Sequence, residues 1–125
     1  MIDVEKLNSE IVEWHKKTFP DCTHESQLLK LDEELKEVAE CVLKSESSQE
    51  ELADAYIVAL VLAKRYRSTI GGYFVGLYSA KETVLWENVK KKMEINKRRK
   101  WHKVNGVYRH DDDHFSEAEK KVGEQ

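Results

Sequence analysis

Apolar residues recur three or four positions apart along most of the chain, a spacing that places them on one face of a helix. The first such run predicts a helix over about residues 3–17. A second run predicts a helix that begins after Thr23, a residue type favoured as an N-cap, and reaches about Lys44. The expected buried face of this second helix comprises Leu28, Leu31, Leu35, Val38, Val42 and Leu43.

A third helix is predicted after a short polar connection, and its start allows two alternative capping boxes. Ser47 pairs with Glu50 in one of them, and Ser48 pairs with Glu51 in the other. With Ser47 as the cap, Glu50 would complete the cap at the start of the helix. Glu51 would then be free for a functional role.

The remaining sequence predicts one more helix and a hairpin. The glycine pair at 71–72 is expected to break the third helix and to lie in a connector rich in glycine and aromatic residues. A fourth helix is predicted over about residues 79–98, and the Asn-Gly pair at 105–106 is typical of a type I′ hairpin turn. The sequence therefore predicts an all-α helical domain over 1–103, followed by a short hairpin and a mobile acidic tail over 104–125.

Charge is distributed unevenly along a chain of 125 residues, a length that suits one domain. The formal net charge is −3, but residues 90–103 contain eight Lys or Arg residues and one acid. This basic segment therefore carries +7 and the remainder of the chain carries −10. Such asymmetry favours an anionic partner, which the charge alone leaves open as a nucleic acid, a nucleotide or the protein's own acidic surface.

The ends and the cysteines of the sequence favour a cytoplasmic protein. The first residues lack the basic start and the apolar stretch of a secretory signal. The longest apolar run, at 55–63, is too short to span a bilayer. Cys22 and Cys41 fit no metal-ligand spacing, and we expect free thiols in a reducing compartment.

Two pairs of acidic residues stand at helical spacing on the second and third predicted helices. Glu34 and Glu37 form one pair, and Glu51 and Asp54 form the other. Either pair alone is ordinary for a solvated helix face, but consecutive helices joined by a short loop run antiparallel and can face each other. Four carboxylates brought together would repel one another unless hard cations joined them. Mg²⁺ suits such a site because it commonly bridges carboxylates to substrate phosphates.

Part of the basic segment forms one face of the last predicted helix. Lys92, Asn96 and Arg99 are spaced by four and three residues, so they lie on the same side. A lysine supplies a mobile point charge for phosphate, and an arginine supplies a planar fork for two phosphate oxygens. Four other basic residues are interpreted as solubilising residues or as partners of the helix dipole: Lys90, Lys91, Lys97 and Arg98. The sequence holds no GxxxxGK[ST] loop, so phosphate binding would need metal and side chains.

These motifs resemble those of a known enzyme family. The stretches at 33–37 and 51–54 resemble the EExxE…ExxD signature of the MazG-like, all-α nucleoside triphosphate pyrophosphohydrolases, and 92–99 resembles their KMxxNxxR segment. The resemblance covers about residues 10–101 and implies a four-helix MazG-like bundle. It also implies hydrolysis of a nucleoside triphosphate to the monophosphate and pyrophosphate by a homodimer or homotetramer.

The resemblance also implies roles for particular residues. Mg²⁺, with Mn²⁺ as a substitute, would be held by Glu34, Glu37, Glu51 and Asp54. The phosphates would be gripped by Lys92, Asn96 and Arg99. Glu34 and Glu37 are the catalytic candidates, with Glu37 a candidate for taking the proton from the attacking water. Trp14 lies where family members carry aromatics near the base, although its spacing fits core packing equally well.

A different class of function competes with this interpretation. The +7 segment would also suit a non-enzymatic helical module that binds nucleic acid or an acidic partner. The charge of −10 on the remainder of the chain argues against a long polyanion, whereas a nucleotide touches only its site. The sequence leaves open the base, the sugar and the biological purpose, of which nucleotide pool cleaning is one.

Overall fold

The computed structural model describes residues 2–77 and 83–110. Within them the chain is all-α with a short antiparallel hairpin, which confirms the predicted fold class. Five helices and two strands follow in order: α1 (Val4–Thr18), α2 (His24–Leu43), α3 (Gln49–Arg65), α4 (Thr69–Leu77), α5 (Thr83–Arg98), β1 (Trp101–Val104) and β2 (Val107–His110). No helix in the described ranges is long and apolar enough to cross a bilayer.

The first two helices begin at side-chain caps. Asp3 accepts a hydrogen bond from the backbone N–H of Lys6 at 3.1 Å, and Thr23 accepts one from that of Ser26 at 3.0 Å. Each cap satisfies a donor that the first turn of a helix otherwise leaves without a partner. The prediction of Thr23 as the cap of α2 is confirmed.

Neither of the two capping boxes that the sequence allows for α3 forms, although Ser48, the cap of the second box, is the N-cap. Its side chain makes no capping hydrogen bond. Glu50 stands at the second helical position, whereas a capping box uses the third. Glu50 is exposed and lies 3.9 Å from the Lys92 ammonium.

Helix α3 is the centre of the molecule, and the other four helices pack around it. Its buried positions follow one another without a polar face, which is typical of a helix surrounded by protein. One apolar cluster joins it to α1 and α5 through residues such as Ile11, Tyr56 and Val89, all nearly inaccessible to solvent. A second cluster joins it to α2 through Leu31 and Leu62.

The predicted buried face of α2 is largely wrong. Leu31 is buried, but Leu35, Val42 and Leu43 are 38%, 61% and 84% exposed. The helix instead turns Ser26, Gln27 and Glu34 inward. One reason is a hydrogen bond between the two helices: the Gln27 amide donates to the Val58 carbonyl of α3 at 3.3 Å. This bond turns the polar side of α2 towards α3.

The glycine pair lies inside a helix and does not end one. Helix α3 already ends at Arg65, and the chain turns at Arg67, whose φ is 54°. The expected connector forms α4, in which Gly71 allows close packing on α3. A Cβ at that position would lie 2.7 Å from the Ala63 backbone nitrogen and 2.8 Å from the Ala59 carbonyl oxygen.

The predicted type I′ hairpin is confirmed. Asn105 and Gly106 have φ of 54° and 80°, and Val104 pairs with Val107 beside them. The hairpin lies against the start of α2, because the Ser26 hydroxyl donates to the Gly106 carbonyl at 2.7 Å. The predicted start of the last helix at 79 and the acidic tail after residue 110 lie outside the described residues.

Candidate nucleotide site

A buried acidic pair joins α2 to α3. Glu34 is 8% exposed, and burial raises its pKa to about 8, with a further contribution from the Asp54 carboxylate. Burial also raises the pKa of Asp54, and the Lys92 ammonium opposes that shift. The Asp54 carboxylate is therefore close enough to Glu34 to disfavour its ionisation, as expected for two acids at one poorly solvated site.

One oxygen of this pair has no hydrogen-bond partner among the residues that the structure describes. This atom, Oε1 of Glu34, is inaccessible to solvent, while Oε2 lies 3.7 Å from the Lys30 ammonium. A buried carboxylate oxygen without a partner is costly, and a bound cation would remove that cost. The donor chemistry here, carboxylate oxygens on facing helices, fits a hard divalent metal.

The other two predicted metal ligands lie at the edge of the pair. Glu37 is exposed and close enough to Glu34 to raise its pKa, and Glu51 acts likewise on Asp54. In the ranges that the structure describes, no group of three or more His, Cys, Asp or Glu side chains is arranged to hold a metal ion. The fold therefore brings Glu34 and Asp54 together and leaves Glu37 and Glu51 as outer carboxylates.

The basic face of α5 lies beside the acidic pair. Lys92 is largely buried, with its ammonium 3.4 Å from Oδ2 of Asp54. Asn96 is buried one turn further along and accepts a hydrogen bond from the Arg99 guanidinium at 2.9 Å. Arg99 also lowers the pKa of Asp54 through its charge. Positive and amide groups thus stand beside the carboxylates, where a bridging anion would lie.

A pocket runs from this polar centre to a wall of aromatic rings. Its polar end is formed by Lys30, Glu34, Asp54 and Asn96. The aromatic wall comprises six aromatic or heteroaromatic side chains: Trp14, His15, Phe19, Trp101, Tyr108 and His110. The rings contact one another, with centroids 5.2 Å apart for Phe19 and Trp101 and 5.3 Å apart for Trp14 and Phe19. Trp14 lies in the pocket and also packs against the apolar core, so both alternatives for it remain open.

The sequence interpretation missed the part of this wall that comes from the hairpin. Trp101 and His110 are paired across the two strands, and Tyr108 lies two residues before His110 on the same face. This alternation is visible in the sequence, but whether these rings line the pocket depends on how the hairpin docks. Asp21 holds the hairpin in place by binding Lys103 at 2.6 Å and the Tyr108 hydroxyl.

Arg65 is a second residue that the sequence gave no reason to single out. Its guanidinium donates to the Phe19 carbonyl at 2.9 Å and the Pro20 carbonyl at 3.1 Å, and it lies 2.8 Å from Nδ1 of His15. Burial, followed by the Arg65 charge, lowers the pKa of His15 to about 4. A neutral His15 and a fixed Phe19 backbone result, so Arg65 positions this side of the pocket.

Comparison with known proteins adds one similarity. No family model matches the chain, and none of the curated proteins does. Among solved structures, it is similar to a cyanophage S-2L MazG-like pyrophosphohydrolase bound to dGDP and three catalytic Mn²⁺ ions per active site, with 27% sequence identity. The match covers 89% of this chain and 99% of that one, at a TM-score of 0.43.

The chain thus resembles a MazG-like pyrophosphohydrolase.

Proposed function

We propose that the protein is a Mg²⁺-dependent nucleotide pyrophosphohydrolase that converts a (d)NTP to the (d)NMP and pyrophosphate. The observation that carries this proposal is one pocket that is lined both by aromatic rings and by carboxyl groups. An aromatic wall suits a nucleobase. Buried carboxylates beside Lys92 and Asn96 suit a phosphate chain accompanied by a cation. Nucleotide pool cleaning is the biological role that such an activity would serve.

The cation would be held by Glu34 and Asp54, with Glu37 and Glu51 completing the set. When bound, Mg²⁺ or its substitute Mn²⁺ offsets the charge of the carboxylates and of the triphosphate and stabilises the charge that develops on the phosphate oxygens. Oε1 of Glu34, which has no hydrogen-bond partner among the described residues, would be suited to help hold the cation.

The side chains around the cation carry the remaining steps. The ammonium of Lys92 and the guanidinium of Arg99 bind phosphate oxygens, and Asn96 keeps Arg99 in place through their hydrogen bond. The oxygen of a water molecule attacks the α phosphorus, the bond from that phosphorus to the bridging oxygen breaks, and pyrophosphate leaves. Glu37, which is open to solvent, takes the proton of the attacking water.

The apolar residues left exposed on α2 favour a homo-oligomer. Leu35, Val42 and Leu43 lie along its outer side and towards its end, where no described element covers them. A second copy of the chain, as a homodimer or homotetramer, would remove this surface from water. The residues next to the acidic pair on α2 would then lie close to the subunit contact.

The nucleic-acid alternative draws less support from the structure. Lys92 faces Asp54, and Lys103 is bound to Asp21, so the basic segment does not present all of its charges outward. Five other cations of the segment are exposed or half-exposed on α5 and just after it: Lys90, Lys91, Lys97, Arg98 and Lys100. Their arrangement is also that of an ordinary solvated helix face.

Hydrolysis of separate dNTPs with Mg²⁺, followed by product analysis, tests the proposal. Monophosphate and pyrophosphate are the expected products. Glu37→Gln and Asp54→Asn are expected to lower kcat by at least about 100-fold, because each removes a charge that the reacting centre needs. Circular dichroism should show that both variants keep the helical fold.

Glu94→Gln serves as the matched control, since Glu94 is an exposed acid on α5 away from the pocket. It should retain the turnover of the unmodified protein. Wild-type turnover in Glu37→Gln or Asp54→Asn would overturn the site assignment. Salt-sensitive binding of DNA or RNA without hydrolysis of any dNTP would instead favour the binding-module function.

A further inference from the structure

Lys30 of α2 is a cation of the pocket that the proposed reaction leaves without a role. Among the described residues that line the pocket, it is the one lysine or arginine. Its side chain is 18% exposed, so the ammonium group is largely withdrawn from bulk water. A charge in such a place interacts strongly with a charged ligand nearby, because little water screens it.

The acidic neighbours of Lys30 hold its ammonium group only loosely. It lies 3.7 Å from Oε2 of Glu34 and 4.0 Å from Oε1 of Glu33, and neither distance is that of a hydrogen bond. Glu33 is also bound through both of its oxygens by Arg109 of the hairpin, so its charge is already offset. An ammonium group has three donors, and these two carboxylates leave Lys30 able to bind a further acceptor.

Lys30 stands between the hairpin and the acidic pair along α2. Ser26, one turn earlier, donates to the Gly106 carbonyl of the hairpin at 2.7 Å. Glu34, one turn later, is the buried acid of the pair. Residues four apart lie on one helix face and about 6 Å apart along its axis. A nucleotide with its base at the hairpin and its phosphates at the acidic pair would therefore meet Lys30 at the phosphate nearest the sugar.

The charge of Lys30 also bears on the cation of the proposed reaction. The ammonium group would be repelled by a divalent cation at Glu34 and Asp54, since both charges are positive and both face Glu34. A phosphate oxygen that contacts the two positive charges removes this repulsion, because each of them attracts it. Lys30 therefore disfavours the metal alone and favours the metal together with a phosphate.

We propose that Lys30 binds a non-bridging oxygen of the α phosphate and thereby makes metal binding and nucleotide binding favour each other. Lys92 and Arg99 then serve the β and γ phosphates. This inference rests on the proposed function and adds to it the residue that holds the reacting phosphate. A lysine that only offset the charge of Glu33 and Glu34 would hinder the metal in the same way but would not bind the nucleotide.

Calorimetric binding to the intact protein and to Lys30→Met tests the inference, since methionine keeps most of the apolar stem and removes the charge. Mn²⁺ alone should bind the variant at least about threefold more tightly, because a repelling charge is gone. The α,β-imido analogues of the four dNTPs resist cleavage at the reacting bond. At saturating Mn²⁺ they should bind the variant about 10- to 100-fold more weakly, as expected for the loss of a charged hydrogen bond. A folding defect would instead weaken both ligands.

Further ligands and variants identify the phosphate and the role of the charge. A dNMP, which keeps the α phosphate alone, should lose affinity for Lys30→Met about as much as the imido analogues do, whereas pyrophosphate should lose little. Lys30→Arg keeps a cation and should recover most of the nucleotide affinity. Lys36→Met is the matched control, because Lys36 lies on the same helix with its side chain 72% exposed and paired with Asp32. It should bind every ligand as the unmodified protein does.

Three results would overturn the inference: unaltered binding of the imido analogues by Lys30→Met, equal losses for the dNMP and pyrophosphate, or weaker binding of Mn²⁺ alone. With dNTPs still hydrolysed by the unmodified protein, these results remove only the role of Lys30. A failure of the proposed function looks different, because the unmodified protein would then leave all dNTPs intact and bind none of the analogues. That outcome would remove this inference as well.

Discussion

At the scale of single residues, Glu34 is an acid that the described structure buries without satisfying all of its hydrogen-bonding capacity. It is buried beside Asp54, and one of its oxygens has no hydrogen-bond partner. Lys30 and Lys92 lower its pKa, but burial and Asp54 outweigh them and raise it to about 8. A buried acid of this kind is tolerated most easily where a bound ligand supplies the missing partner. For this reason Glu34 marks the candidate site.

The raised pKa of Glu34 predicts a pH dependence of stability for the protein without metal. The folded state binds this proton more tightly than the unfolded state, in which the pKa is near 4.5. The stability that the group contributes is therefore full below pH 4.5 and is lost as the pH rises through about 8. Glu34→Gln cannot ionise, so in the presence of a chelator its Tm at pH 9 should exceed that of the unmodified protein by on the order of 5 °C.

Thermal unfolding at pH 5 and pH 9, with chelator or with Mg²⁺, checks this prediction. Added Mg²⁺ should raise the Tm of the unmodified protein at pH 9 and leave that of Glu34→Gln almost unchanged, since ligand binding stabilises only a state that binds it. Glu94→Gln, at an exposed position, should follow the unmodified protein in every condition. Equal Tm values for Glu34→Gln and the unmodified protein at pH 9 would contradict the assignment.

At the scale of elements, the hairpin is held to α2 by charge as well as by packing. Arg109 of β2 binds both carboxylate oxygens of Glu33, one of them at 2.8 Å. Glu33 directly precedes Glu34 in α2, so the residue that anchors the hairpin adjoins the buried acid. The hairpin that carries part of the aromatic wall is therefore anchored at the residue next to Glu34 of the acidic pair.

A double-mutant cycle with Arg109→Ala and Glu33→Ala should reveal this connection. Both side chains are about one-third exposed, so solvent screens the pair and we expect a coupling of about 1 kcal/mol. Urea denaturation of the four proteins measures it. Because the hairpin carries Trp101 and Tyr108, each single variant should also raise KM for dNTPs more than it lowers kcat. Additive effects on stability would show that the ion pair does not anchor the hairpin.

At the scale of the whole molecule, α2 carries more apolar surface than the other described elements cover. Leu28, Leu31, Leu35, Val38 and Val42 alternate by three and four residues, as in a helix with a continuous partner. The described chain buries Leu31, and exposure rises towards the end of the helix. A second copy is the occupant proposed for the uncovered part.

Replacement of Val42 and Leu43 by Asp is expected to reduce the oligomer to a monomer, because it places two charges in the proposed contact. Light scattering coupled to size exclusion should give a multiple of 14.6 kDa for the unmodified protein and 14.6 kDa for the double variant. Gln49→Asp, a charge change at an exposed position on α3, should leave the mass unaltered. A mass of 14.6 kDa for the unmodified protein would contradict the homo-oligomer.

Local signals in the sequence were sufficient for most of the elements. The Thr23 cap and the Asn-Gly turn act within a few residues of themselves, so their outcome did not depend on the rest of the fold. At the start of α3 the sequence allowed two neighbouring caps, and only the structure shows that Ser48 is the N-cap and that its side chain makes no capping hydrogen bond. Gly71 was misread because its close packing on Ala59 and Ala63 of another helix requires a glycine inside a helix.

The sequence by itself determined that Glu34, Asp54, Lys92 and Asn96 could converge, because helical spacing and a short connection fix which side chains share a face. Only the tertiary structure decided which carboxylates are buried and which remain at the edge. It alone placed Trp101 and Tyr108 opposite them, because the docking of the hairpin depends on bonds to Asp21, Ser26 and Glu33. Burial, and the pKa shifts that follow from it, is a property of contacts between distant segments, and no local pattern records it.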